Sequence, residues 1–159
     1  WILLAITLSG CLLYYPVFHA KDADKINKTV PVKAVQFIKD AEIQGRGFAV
    51  YHYGGYLINQ FYPEQLVFID GRADLYGDKF IQEYLAIVEA RAGWKDKMEK
   101  YEIDYAILTR KSALVELLQT SADFKLIHED EVNVVLIRND AKYASIIAKY
   151  AKNEANKLQ

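Results

Sequence analysis

Residues 51–76 read YHYGGYLINQFYPEQLVFIDGRADLY, a stretch that joins two short apolar runs and sets polar chemistry after each of them. The runs, GFAVY at 47–51 and LVFID at 66–70, are rich in β-branched and aromatic residues and bounded by Gly and Pro, the pattern of buried strands. Between them Tyr53, Leu57, Ile58 and Phe61 recur at helical spacing over 53–62, and Pro63, which has no N–H to donate, ends the run. Strand, helix, strand predicts a small parallel βαβ unit.

Ligands in such units sit just beyond the carboxyl ends of the strands. Here those ends carry His52, Gly54 and Gly55, then Asp70, Arg72 and Asp74, and these six are the candidate ligand-binding residues of a shared crevice. Gly54 and Gly55 near a helix start suit either an anion held by backbone N–H groups or close helix-to-strand packing. Packing is the plainer reading, because the longer phosphate-binding fingerprint and its lysine are missing. For Asp70-Gly71-Arg72-Ala73-Asp74 the alternatives are an acid/base pair of aspartates or an internally bonded turn with Arg72 forked onto a carboxylate, and the turn is favoured. His52 lacks a second His or Cys at ligand spacing, and His19 and His128 complete no cluster, so no metal site and no cofactor is predicted.

The 159 residues suit one domain, and a hydrophobic share of 52% suffices for a core. Twenty basic residues against 21 acidic ones give a net charge of -1, which argues against nucleic acid as a partner. Residues 1–18, WILLAITLSGCLLYYPVF, hold no charge and approach the length of a membrane span, with Tyr14 and Tyr15 suited to the interface. A cleaved signal peptide and a buried helix are the alternatives, but no basic segment precedes the run and Phe18 is large for a cleavage site after Ala20. The expectation is a membrane helix over 1–20, the last of a longer protein since the chain starts at Trp1, then a linker over 21–30 and a soluble domain over 31–159. The lone Cys11 allows no intrachain disulfide.

Within the domain, Pro31 suits the start of a helix with Val32, Val35, Phe37 and Ile38 on its apolar side, and Gly45 is placed to end it. Further helices are predicted over 78–92 and 94–101. DYAILT at 104–109 reads as a buried strand, and Ser112 as the cap of the next helix. Residues 124–128 and 132–138 flank an acidic tip, Glu129-Asp130-Glu131, as an antiparallel hairpin. The tail over 141–159 outlines an amphipathic helix that docks on the domain or lies on an anionic membrane. The fold class is therefore α/β: a three-layer mixed sheet, mostly parallel with a C-terminal antiparallel hairpin, preceded by one membrane helix.

Taken together, YGGYLINQFYP, LVFIDGRADLYGD, the Trp-containing helix, IDYAIL and HEDEVNVVLIR resemble the C-terminal soluble domain of polytopic bacterial membrane proteins related to the GT-C glycosyltransferases, the class of the dolichyl-phosphate-mannose-type protein mannosyltransferases. The resemblance spans 31–138 and is most specific at Gly54-Gly55-Tyr56-Leu57 and at Asp70, Gly71, Arg72, Asp74 and Tyr76. It implies an accessory domain on the periplasmic or extracellular side of a sugar transferase, with the lipid bilayer and a polyprenyl-phosphate sugar or its acceptor as partners. Nothing in this chain matches the family's catalytic carboxylates, and His52 stands where an acidic or amide residue is common. Lys21, Lys25, Lys28 and Lys33 after the apolar segment favour the cytoplasm, but long soluble domains cross largely regardless of that bias. The competing expectation is a membrane-tethered, non-catalytic protein-interaction module, with twelve tyrosines and two tryptophans to supply an aromatic face.

Overall fold

Four strands build one mixed sheet: β1 (Gly47–Ala49), β2 (Tyr105–Thr109), β3 (Phe124–Glu129) and β4 (Asn133–Arg138), in the order β1-β2-β4-β3. The computed structural model describes residues 29–155, so the segment 1–20 expected to cross a membrane, most of the linker and the end of the tail lie outside the described residues. Among the described residues six α-helices accompany the sheet: α1 (Val32–Asp40), α2 (Gly54–Phe61), α3 (Gly77–Val88), α4 (Trp94–Lys100), α5 (Ala113–Thr120) and α6 (Ala144–Ala155). Among the described residues no helix is long and apolar enough to cross a membrane.

β1 runs parallel to β2, with Gly47 opposite Tyr105, whereas β4 is antiparallel both to β2, with Asn133 opposite Thr109, and to β3. The expectation of a mostly parallel sheet is thus corrected to a mixed, mostly antiparallel one. The hairpin docks onto β2 through β4, so it adds two antiparallel ladders, while the parallel part stays short. The cause is visible at segment 66–70, which meets β1 in the expected parallel sense but only through a Gly47–Val67 bridge. β1 stops early because the Tyr51 N–H donates to the Tyr84 hydroxyl at 2.7 Å and a 3₁₀ turn, Tyr51–Tyr53, follows.

In β2 and β4 consecutive residues are buried, Tyr105 to Leu108 and Val134 to Ile137. Side chains alternate across a strand, so both faces of these central strands are covered. On one side Phe48 of β1 edges against Phe68 and packs near Tyr84 of α3. The tail docks: Tyr150 of α6 meets the Phe37 ring of α1 edge-on at 4.8 Å, and Ile146 and Ile147 pack against the core.

α1 ends earlier than Gly45 suggested. Glu42 takes the left-handed conformation at φ 51°, its N–H bonding to the Lys39 carbonyl while the Ile43 N–H reaches Ile38. Gly45 answers a different need, since a Cβ there would stand 2.5 Å from the Asp104 carboxylate. Ser112 occupies the position before α5, as expected, yet its hydroxyl makes no cap bond and is buried without a partner.

Candidate functional site

Asp70, at the end of segment 66–70, turns its buried carboxylate back onto the following loop. Oδ1 accepts from the Arg72 backbone N–H and from Arg72 Nε, both at 2.9 Å. Oδ2 accepts from Arg72 Nη2 at 2.6 Å and from the Tyr76 hydroxyl at 2.9 Å. Four donors converge on one carboxylate, and the Tyr51 hydroxyl donates to the Gly71 carbonyl at 3.0 Å to close the turn. The favoured reading of the Asp-Gly-Arg-Ala-Asp segment, an internally bonded turn with a forked Arg–carboxylate pair, is what forms.

The electrostatics follow from those bonds. The Arg72 guanidinium holds the Asp70 carboxyl far below the usual carboxylate range despite its burial, and Asp70 in turn raises the Arg72 pKa. Burial pushes the Tyr76 hydroxyl up. A carboxylate held deprotonated and saturated with donors is a poor proton shuttle at neutral pH, so Asp70 acts as a fixed anion that positions Arg72. Asp74 is exposed and makes no side-chain hydrogen bond or ion pair among the described residues, which leaves no aspartate pair.

The two glycines part company. Gly54 presses on the loop, with a Cβ there falling 2.3 Å from the Ile69 carbonyl oxygen, whereas a Cβ on Gly55 would meet nothing within 4 Å. Close packing therefore explains Gly54 and joins the two strand ends. His52 is exposed and stands edge-on to Tyr53, with ring centroids 4.4 Å apart. Of the six candidates, Gly54, Asp70 and Arg72 form one cluster, while Gly55, His52 and Asp74 stand outside its bonding. Among the described residues no group of three or more His, Cys, Asp or Glu is arranged to hold a metal ion.

Arg72 keeps Nη1 unengaged by Asp70 and its side chain is 65% exposed. It opens onto a groove of about 390 Å³ lined by Ile58, Tyr62, Leu66, Val67 and Tyr76. Tyr62 and Leu66 are 68% and 79% exposed, which is unusual for large apolar side chains. Sequence reading missed both as site residues, having assigned Tyr62 to a helix end and Leu66 to a buried strand. Pro63 and the polar pair Glu64-Gln65 between them were the available signal that the chain turns at the surface there. Of the tyrosines among the described residues, only Tyr62 is exposed, while Tyr51, Tyr56, Tyr76, Tyr101 and Tyr150 are half-buried.

A second charged cluster lies at the opposite end of the sheet. Asp104 accepts from the Arg46 N–H and pairs with Lys142, Arg46 pairs with Glu102, and Arg138 with Glu99. Each cation there has an anion, a pattern of structural pairing. Comparison of the chain with protein-family models, curated proteins and solved structures finds no match.

Proposed function

We propose that this chain is the extracytoplasmic C-terminal accessory domain of a membrane glycosyltransferase-like protein that uses a lipid-phosphate sugar donor, and that it contributes a binding surface instead of the reacting carboxylates. The observation that carries the reading is Arg72, an exposed guanidinium fixed from behind by buried Asp70, whose carboxylate also accepts from the Tyr76 hydroxyl, at the lip of an apolar-edged groove. A planar fork with free N–H groups suits a phosphate oxygen, and Tyr62, Leu66 and Val67 beside it suit the first isoprene units of a polyprenyl chain. The resemblance of FIDGRADLY to the family's C-terminal domains supports the same reading.

The test is photolabelling of the full chain in detergent micelles with a photoreactive polyprenyl phosphate. Label is expected on the peptide 58–76, displaced by unlabelled polyprenyl phosphate and weakened by Leu66→Glu, a surface change that leaves the fold intact. Label spread over the chain and indifferent to Leu66→Glu overturns the proposal. A non-catalytic protein-interaction module is the second reading, favoured by the exposure of Tyr62 and Leu66. Retention of a tight protein partner without any groove labelling selects it.

A further inference from the structure

The two edges of the sheet are treated differently. β3, at one side, has α6 running against it. At the other side segment 66–70 meets β1 through the single Gly47–Val67 bridge, and among the described residues no strand pairs with its outer side. Native proteins blunt open edges with charge or proline, yet Leu66-Val67-Phe68-Ile69 carries neither, and Leu66 is exposed. The chain runs outward from β1 through α2 to this segment and returns to β2 through α3 and α4, so right-handed crossovers set those helices on its opposite faces. A groove lies on each face. The one already described, with Ile58, Tyr62 and Tyr76, is matched by another of about 500 Å³ lined by Phe68, Phe80 and Tyr101, and Leu66 and Val67 border both.

We infer that this edge is where a second copy of the chain docks, the two edges meeting antiparallel about a two-fold axis. The charges at its ends select that occupant. Glu64, at the N-terminal end, is exposed and makes no side-chain hydrogen bond or ion pair among the described residues. Arg72, at the C-terminal end, is exposed and keeps Nη1 off Asp70. An antiparallel two-fold pairing sets the N-terminal end of each edge beside the C-terminal end of the other, so each Glu64 meets the other copy's Arg72 and the contact is made twice. A parallel approach sets like charges together. Side chains alternate across an extended edge, so those of each copy enter the grooves on both faces of the other, and Tyr62 and Leu66 leave water. The inference goes beyond the function proposed above and needs no lipid. A phosphate on Arg72 competes with the second copy's Glu64.

The test is sedimentation equilibrium of the full 159-residue chain with Cys11→Ser in density-matched detergent. The expected result is a reversible dimer whose dissociation constant rises about tenfold with Glu64→Lys and with Leu66→Glu, since a two-fold interface feels each change twice. Glu116→Lys, the same charge change on exposed α5 beside β3, is expected to leave the constant unchanged. A chain that stays monomeric at every concentration overturns the inference and leaves the edge to a partner of another sequence. A dimer that either Glu64→Lys or Leu66→Glu fails to weaken, as one formed through residues 1–20 behaves, overturns it too. So does a dimer that Glu116→Lys weakens equally. Polyprenyl-phosphate labelling of the groove stands or falls separately.

Discussion

Gly54 lies so close to Asp70 that a Cβ on the glycine would stand 2.4 Å from the Asp70 Cα and 2.3 Å from the Ile69 carbonyl oxygen. Backbone on both sides of the contact cannot yield cheaply, so Gly54→Ala forces α2 away from segment 66–70. The expected cost is about 3 kcal/mol, at the upper end for overpacking. Gly55→Ala, one residue on and facing open space, is expected to stabilise α2 by about 0.5–1 kcal/mol. Urea denaturation of the two variants checks the pair, and similar midpoints would refute the packing account.

Asp70 makes stability depend on acid. In the unfolded chain it takes up a proton near its ordinary value of 3.8, whereas the native carboxylate, held by Arg72 and Tyr76, stays charged well below that. The unfolded state therefore binds more protons on acidification, so the stabilisation is complete above about pH 5 and declines as pH falls through 4. Asp70→Asn is expected to lower stability by about 1–3 kcal/mol at neutral pH, because the neutral amide accepts fewer of the four donors. It should also flatten the dependence between pH 5 and 3, read from urea midpoints across that range.

The Tyr53 hydroxyl donates to the Asn133 side-chain oxygen at 2.6 Å, between two buried residues 80 positions apart in sequence. Tyr53→Phe keeps the ring but strands the buried amide oxygen, at an expected cost of about 1–2 kcal/mol. Thermal unfolding measures it. No loss would mean that Asn133 finds another donor when the hydroxyl is removed.

Leu66 is a surface residue that stability does not need. Leu66→Ser is expected to change the unfolding free energy by less than about 0.5 kcal/mol, because the side chain is already in water. If the proposed function holds, polyprenyl-phosphate labelling of the groove weakens in the same variant. A large stability loss would place Leu66 in the fold instead of in the groove.

Much of the local structure was legible before any coordinates. Apolar spacing placed α1 to α5, the 124–138 hairpin and β2, and the Asp70–Arg72 turn followed from residue types two positions apart, whose bonds need no distant partner. Tyr76 completes that cluster from six positions on, and only the resemblance had singled it out. Gly54 and Gly55 look alike in the sequence, yet one touches Asp70 and the other faces open space. Likewise VNVVLIR, a continuous apolar run, already has the pattern of a strand buried on both faces, but not the neighbours it finds there.

By itself, the sequence determined the charge balance, which is a sum over residues, and the periodic elements and the short-range turn, which are set by residues within a few positions of one another. The tertiary structure alone decided that β4 lies between β2 and β3, that segment 66–70 keeps only one bridge, and that Tyr53 meets Asn133. It also decided that the start of α1 and the Arg72 loop share one end of the sheet. These relations join residues tens of positions apart, and they arise when competing strand edges and apolar faces are buried together, which no local pattern specifies.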